Sequence, residues 1–417
     1  MNTFNIDERL LNLAKKADED LKEYYKVAEE VCKKNSEKVL KAFVDNRVET
    51  ADFAEVTGYG FYDGGRDKVE AVFAQVLGCE DALVRPHIMS GTNAIWLTLS
   101  GLLHHGDTMI CISGLPYDPL QNIVGITGKS AHSLINNGVK YEQIDLIGSE
   151  FDTEKIKERL AKNDVKLVEI QRSRGYSHRE GLSIKQIEDI CTVIRSVNKD
   201  VIIMIDNCYG ELVEEKEPCE VGVDIMAGSL MHNLGGGIAT SGGYVAGRSD
   251  LVNLVAERLT APCIAKELGA NYNQHNKFLR GLFMAPQTVC NAVKTAIFTS
   301  YMLEKLGYTS VSPRYTRTRT DIIQTFDLET PERITKFCEG MQKMSPVDSF
   351  FTPIPCEIAG YPHEEIMAAG TFTGGSTIEL TCDAPMVEPY TIFMQGALTF
   401  EYGKLGVLGA LNEIINL

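Results

Sequence analysis

The chain has little of what would direct it to nucleic acid, to a membrane or to an oxidising compartment. Its 41 lysines and arginines are outnumbered by 57 aspartates and glutamates, so the net charge of −16 disfavours binding to nucleic acid or anionic lipid. Its longest apolar runs, such as 201–205, are too short to span a bilayer, and the charged N-terminus lacks a signal-peptide pattern. The 11 cysteines form no C-x-x-C pair, which predicts free thiols and a cytoplasmic protein.

Two common phosphate-binding signatures are also missing. No G-x-G-x-x-G opens a helix after a first strand, and no Walker A sequence occurs. The adjacent His104 and His105 come at the end of a predicted helix, just before Gly106. That position suits the helix dipole, so they are interpreted as helix C-terminal residues and no metal site is predicted.

The length of the chain and its pattern predict an α/β protein of two domains. Short apolar runs alternate with helical segments between about 81 and 250, which indicates a mainly parallel sheet. The predicted strands are 82–84, 109–112, 166–170, 201–205 and 224–227, with helices at 94–103 and 184–197. We expect an N-terminal helical segment (1–50), a large domain (51–260), and connecting helices with a small α/β domain (261–417). In the small domain, strands are predicted at 349–358 and 376–381, and a helix at 398–417.

Polar residues follow several predicted strands of the large domain, where an open α/β sheet binds its ligands. Asp206 ends the strand in VIIMIDN (201–207). Such an acid can hold a pyridine nitrogen protonated, although a metal ligand, a helix cap or a simple polar strand end fits the same residue. Ser90, Gly91 and Thr92 precede a helix, which predicts either a phosphate cradle or an ordinary N-cap.

Two further segments extend this pattern. Tyr117 follows the strand 109–112, where it is either a ring that stacks on a flat cofactor or a turn residue between prolines. Ser229 and His232 follow the strand 224–227 and precede three glycines, which allow close approach of the backbone to a bound group. The succession of a phosphate-type helix start, an aromatic residue, a strand-end acid and a Ser-x-x-His segment is typical of a fold-type I pyridoxal phosphate (PLP) site.

The chain resembles a known family over nearly its whole length. It is similar to bacterial proteins called aluminium resistance proteins or methionine γ-lyase-like proteins, a branch of the cystathionine lyase group of PLP enzymes. The segments that carry the resemblance include TGYGFYDGGRD (57–67), VRPHIMSGTNAI (84–95), QRSRGYSHREGLSI (171–184), DNCYGELVE (206–214), GSLMHNLGGGIA (228–239) and IMAAGTFTGGSTIEL (366–380).

The resemblance implies a role for each matching residue. Ser90, Gly91, Thr92 and Ser229 match phosphate-binding positions, Tyr117 the stacking ring, and Asp206 the partner of the pyridine nitrogen. Tyr59 and Arg66 match the segment that reaches the phosphate of a neighbouring subunit, which implies a homodimer or homotetramer in a cytoplasmic enzyme. Arg172 and Arg174 are candidate clamps for a substrate carboxylate, because arginine binds carboxylates bidentately, and structural roles are an equal alternative.

The chain also departs from the family pattern. His232 stands where the family has the lysine that forms a Schiff base with PLP, and an imidazole cannot form that bond. Asn93 stands where histidine is usual, His178 where tryptophan is, and Val387 where arginine is. Several altered positions favour natural divergence over an engineered Lys-to-His change, and both alternatives stay open.

The sequence is therefore compatible with three functions. The first is an enzyme that binds PLP noncovalently, or pyridoxamine phosphate, with His232 as general acid or base in carbon–sulfur lyase-like chemistry on an amino acid. Asp206 and Tyr117 would assist His232 in that chemistry. The second is a non-catalytic descendant that binds PLP, an amino-acid adduct or a partner protein. The third is a site for some other phosphate compound.

Overall fold

A seven-stranded sheet forms the centre of the large domain in the computed structural model, which describes residues 2–128 and 130–417. Its order is β1-β7-β6-β5-β4-β2-β3, with β2 to β6 parallel and β7 antiparallel to both β6 and β1. Every residue of β4 and β5 is buried, as expected for strands covered on both faces. The strands are β1 (Asp81–Arg85), β2 (Thr108–Cys111), β3 (Lys140–Gln143), β4 (Leu167–Gln171), β5 (Ile202–Asp206), β6 (Ile225–Ser229) and β7 (Gly243–Gly247).

Helices cover both faces of this sheet, and the residues of the strands alternate between two hydrophobic cores. Ile203 and Ile205 belong to one core, whereas Ile202 and Met204 belong to the other. The helices up to this point of the chain are α1 (Glu8–Asp20), α2 (Lys22–Asp45), α3 (Gly64–Val76), α4 (Gly91–Leu102), α5 (Asp118–Val124), α6 (Thr153–Leu160), α7 (Ile184–Val197) and α8 (Ser249–Leu259). Short 3-10 turns occupy Thr50–Phe53, Pro218–Val221 and Asn233–Gly235.

A second, antiparallel sheet of six strands follows the long helix α9 (Gln274–Lys305). Its order is β10-β11-β12-β13-β9-β8. The strands are β8 (Val311–Ser312), β9 (Gln324–Asp327), β10 (Cys356–Glu357), β11 (Glu364–Ala368), β12 (Thr381–Pro385) and β13 (Thr391–Gln395). Helices α10 (Pro331–Lys343) and α11 (Phe400–Ile414) pack against each other, and α10 also packs on β11. The β12 residues Cys382 and Ala384 point into the core, so the intervening Asp383 lies on the opposite face.

These observations confirm the predicted α/β class with a mainly parallel sheet. The helix predicted at 184–197 has those limits, because Ser183 caps its start with Gln186 in a capping box. The strand predicted at 376–381 is wrong except at Thr381: Ile378 and Leu380 are buried and alternate with polar residues, but the chain forms turns there. Of the strand predicted at 349–358, only Cys356–Glu357 pairs. The division into domains at 50 and 260 stays a prediction.

All eleven cysteines are free thiols. Within the described part of the chain, no helix is both long enough and apolar enough to cross a membrane.

Candidate active site

A cavity of about 540 Å³ lies at the carboxyl ends of the parallel strands, with residues of both sheets in its walls. Its size suits a cofactor together with a small substrate. Most of the residues that the sequence singles out line it together: Ser90, Gly91, Thr92, Tyr117, Asp206, Ser229 and His232. These residues come from four separate segments, which lie at the ends of strands β5 and β6 or follow strands β1, β2 and β6.

One end of the cavity is built from the start of helix α4 and the end of strand β6. The Ser90 hydroxyl caps the helix by accepting from the Asn93 N–H (3.0 Å), and the first N–H groups of a helix are free for an anion. The Ser229 hydroxyl accepts from the Met231 N–H (3.0 Å). A Cβ at Gly91 would lie 3.0 Å from Cys208 Sγ and 3.2 Å from Ser229 Cβ, so glycine keeps the two segments in close approach. Hydroxyl and N–H groups of this kind fit a phosphate.

Asp206 and Tyr117 lie beside this end. Asp206 Oδ1 accepts from the Cys208 N–H (3.1 Å), and burial raises the pKa of the carboxyl to about 6. A cationic ring N–H would favour its charged form, so the acid fits a protonated pyridine nitrogen. Tyr117 is fixed by its N–H, which donates to Gln171 Oε1 (2.9 Å), and by a hydrogen bond of its hydroxyl with Thr92 (3.0 Å). The residues present therefore fit the phosphate and the ring of PLP.

His232 is held between the two sheets. Its Nδ1 is hydrogen-bonded to the hydroxyl of Thr377, and the Thr377 N–H donates to the carbonyl of Met231 (3.0 Å). The ring of Tyr209 lies against the imidazole, with 4.3 Å between centroids and 30° between planes. Burial lowers the pKa of His232 to about 4, so the imidazole is neutral at pH 7. Thr377 and Tyr209 lie in segments that carry the family resemblance, but the sequence assigned neither a role, because no local spacing connects them with His232.

The two candidate clamps have partners elsewhere in the protein. The Arg172 guanidinium is fully buried and donates to Asn207 Oδ1 (2.8 Å) and Glu214 Oε2 (2.9 Å). The Arg174 guanidinium donates to the Ser312 carbonyl (3.0 Å). Neither residue lines the cavity, so their placement favours the structural alternative. Among the described residues, no lysine or arginine at all lines this cavity.

The segment predicted to reach a neighbouring subunit also lies outside this cavity. Arg66 is buried, and its Nη1 donates to the carbonyls of Gly58 and Gly60 (both 3.1 Å). It therefore holds the loop that presents Tyr59, whose exposed fraction is 65%. The role of both residues toward a phosphate stays a prediction.

The wall formed by the second sheet carries residues that the sequence did not reveal. Asp383 pairs with Phe393 in the register of β12 and β13, and its Oδ2 accepts from the Gln395 amide (3.1 Å). The Tyr176 ring lies 4.6 Å from the Phe393 ring and 5.4 Å from the Tyr361 ring. All of these residues line the cavity. The sequence indicated Asp383 only through its place between the small apolar residues Cys382 and Ala384, a pattern compatible with a strand.

Comparison with known proteins agrees with this geometry. The family described as methionine gamma-lyase matches residues 10–415. The uncharacterized protein YnbB of Bacillus subtilis (strain 168) is 38% identical, over 99% of this chain and 98% of its own length. A solved structure from Clostridium novyi NT, a carbon-sulfur lyase involved in aluminum resistance, is 41% identical with a TM-score of 0.95, covering 99% of this chain and 97% of that one. The pyridoxal-5'-phosphate dependent protein YhfS of Escherichia coli shares the fold at 16% identity and a TM-score of 0.63, covering 94% and 97%.

Proposed function

Because the chain belongs to the methionine γ-lyase family, we propose that it binds PLP in this cavity without a covalent anchor and acts on an amino acid in carbon–sulfur lyase-like chemistry. The observation that carries the proposal is the combination in one cavity of Asp206, the Ser90–Thr92 helix start and His232, with no lysine among the described residues of its walls. The fold and family support PLP as the cofactor. Noncovalent binding, or pyridoxamine phosphate instead, is part of the proposal.

At the end of the cavity formed by helix α4 and strand β6, which we propose as the cofactor end, each residue has a proposed task. Ser90, Gly91, Thr92 and Ser229 would hold the phosphate, and Tyr117 would stack on the ring. When bound, PLP supplies a ring that withdraws electrons from the α-carbon of the substrate. Asp206 would hold a proton on the pyridine nitrogen, since a buried carboxylate gains most from a cationic partner. Burial already raises its pKa to about 6, which shows how weakly the protein alone compensates its charge.

His232 would move the proton that a lysine moves in the rest of the family. In the tautomer whose Nδ1–H donates to the Thr377 hydroxyl, Nε2 carries the lone pair and can accept a proton. The lowered pKa of about 4 makes the imidazole a neutral and weak base at pH 7. Proton transfer is therefore possible at this position, whereas a covalent bond to the cofactor is not, and we expect slow turnover.

The test compares the wild type with His232→Lys. Each purified protein is titrated with PLP by absorbance, treated with borohydride and analysed by peptide mass spectrometry. We expect the wild type to bind PLP that gel filtration removes and to show no fixed adduct. His232→Lys should carry an adduct at position 232. A fixed adduct in the wild type, or no binding of PLP or pyridoxamine phosphate, would overturn the proposal.

Turnover is measured on the same two proteins as thiol release from cystathionine, cysteine and methionine. His232→Lys should release thiol faster than the wild type. The absence of a lysine from the described residues of the cavity wall also supports a second candidate, a protein that binds PLP or an adduct without turnover. It is favoured if the wild type binds PLP but releases no thiol. An engineered Lys-to-His origin is favoured if one substitution restores full lyase activity.

The proposed assembly is a cytoplasmic homodimer or homotetramer. Its support is a loop with three exposed aromatic side chains, Tyr59 (65%), Phe61 (64%) and Tyr62 (90%), since exposed apolar clusters mark interaction surfaces. Light scattering coupled to gel filtration measures the mass of the assembly. A monomer at all concentrations would contradict this part of the proposal.

A further inference from the structure

The cavity wall on the second sheet contains an aromatic cluster. The Tyr176 ring makes edge-to-face contacts with Phe393 (4.6 Å, 76°) and with Tyr361 (5.4 Å, 67°). The three residues come from the segment after β4, from strand β13 and from the turn before β11. Because all three line the cavity, a ligand group there meets aromatic rings from more than one direction.

A carboxylate lies within this cluster. Asp383 faces the cavity beside Phe393 and is only partly buried, so its oxygens can be reached from the cavity. Its one side-chain partner among the described residues is the Gln395 amide, which donates to Asp383 Oδ2 (3.1 Å) and to Thr381 Oγ1 (3.1 Å). Burial raises the pKa of Asp383 to about 6, so the group is ionised at about pH 8. Its negative charge has no cationic partner among the described residues that line the cavity.

We propose that Asp383, Tyr176, Tyr361 and Phe393 form a subsite for a cationic group, an alkylammonium or a sulfonium, at the far end of the amino-acid substrate. Aromatic faces attract cations through their quadrupole, and a nearby carboxylate adds a direct charge partner. A neutral side chain would leave the carboxylate desolvated without compensation, and a second carboxylate would be repelled. The inference rests on the proposed function for the amino-acid end of the substrate and adds the class of its other end.

Two pairs of ligands isolate the charge. L-lysine is compared with L-norleucine, which lacks the terminal ammonium, and S-methyl-L-methionine is compared with L-methionine, which lacks the sulfonium charge. Affinities are measured by calorimetry on the full-length protein, with and without added PLP, at about pH 8, where Asp383 is ionised. We expect at least one cation to bind about 10-fold or more tightly than its neutral partner. The pair that shows the larger ratio identifies the ammonium or the sulfonium.

Asp383→Asn keeps the shape of the side chain and removes the charge, so it should bring the ratio close to one. Asp206→Asn is the matched control, because it removes the other cavity carboxylate. It should alter PLP binding and leave the ratio of the two affinities unchanged. If Asp383→Asn also lost PLP, Asp383 would belong to the cofactor end and the inference would be overturned.

The two proposals fail in different ways. Equal affinities for charged and neutral ligands in a wild type that binds PLP would overturn the cation subsite and leave the proposed function standing. A wild type that discriminates the cations but binds no PLP would overturn the proposed function instead. Should Asp383→Asn fail to fold, as judged by circular dichroism, the wild-type ratios alone decide.

Discussion

Arg172 offers a sharp test of whether it is a substrate clamp or part of the frame beneath the cavity. Its guanidinium bonds Asn207 and Glu214, and its Nη1 lies 3.9 Å from Glu217 Oε2. The side chains of Arg172 and Glu217 are fully buried, whereas 22% of the Glu214 side chain is exposed. Asn207 follows Asp206 directly, so this ion-pair group supports the strand end that carries the proposed cofactor partner.

The substitution Arg172→Met keeps the length of the side chain and removes the charge. Removing one partner of a buried ion pair typically costs about 3–5 kcal/mol. Glu214 can regain water, but Glu217 cannot, so we expect the free energy of unfolding to fall by about 3 kcal/mol. Part of this loss is avoided when Glu217 takes up a proton, since burial already raises the pKa of Glu217 and the positive charge of Arg172 opposes that rise.

The pH dependence follows from that proton. A carboxyl whose folded-state pKa is raised binds more protons in the folded state than in the unfolded state. The stability that it contributes to the protein is therefore present at low pH and is lost as the pH rises. The deficit of Arg172→Met relative to the wild type should therefore grow as the pH rises above the ordinary pKa of a glutamate, by up to about 1.4 kcal/mol per pH unit. Glu217→Gln in the same background removes the titrating group, so it should flatten this slope and recover part of the stability.

Urea denaturation followed by circular dichroism measures these free energies of unfolding. Calorimetry without urea measures the affinity of each protein for the amino acid. The reasoning is refuted if Arg172→Met is as stable as the wild type at every pH. If Arg172→Met keeps the stability of the wild type but binds the amino acid more weakly, the reasoning is also refuted, and Arg172 is a substrate clamp.

Three other predictions concern the cofactor end of the cavity. Gly91→Ala should weaken PLP binding about 10-fold, because its Cβ would lie 3.0 Å from Cys208 Sγ; unchanged affinity in a fluorescence titration would contradict the tight approach. Asp206→Asn should also weaken PLP about 10-fold at about pH 8, and equal affinities would show that the acid does not meet the ring. His232 should titrate near its lowered pKa of about 4 by NMR. Because that pKa lies below the unfolded value, the wild type should lose stability relative to His232→Gln as the pH falls below about 6.5. An NMR titration midpoint of His232 at the ordinary histidine pKa would contradict its burial.

That Ser90, Tyr117, Asp206 and Ser229 lie together in one cavity could be predicted from the sequence, because each of them follows a local pattern. Asp206 ends a fully apolar strand, and Ser90 precedes an apolar helix, so both positions at the sheet edge follow from one segment of chain. Parallel strands bring their carboxyl ends to one edge, which places such residues together without knowledge of distant contacts. Strand β7 was missed because its Gly-Tyr-Val-Ala-Gly segment has few of the β-branched residues that indicate a strand.

The second wall could not be predicted, because its residues gain their meaning from the packing of two sheets. Asp383 stands between Cys382 and Ala384, a pattern typical of a surface strand with an acid turned to water. The face that would be solvated in an isolated sheet becomes a cavity wall only when the two sheets come together. Tyr176 lies more than 200 positions earlier in the chain, so no spacing rule connects it with Asp383.

The surroundings of His232 separate contacts that need an imidazole from contacts that any residue would keep. The Thr377 N–H donates to the Met231 carbonyl, a bond between two backbones that a lysine at 232 would not disturb. The Thr377 hydroxyl bond to Nδ1 and the stacking of Tyr209 both require the ring. Thr377→Val should therefore change the wild type and leave His232→Lys unaffected: it should release the imidazole and alter its NMR tautomer signature, while the yield of the borohydride adduct in the Thr377→Val/His232→Lys double variant stays that of His232→Lys. A loss of the adduct in the double variant would mean that Thr377 contacts the cofactor itself. The hydrogen bond between Thr377 and His232 would then not be the main role of Thr377.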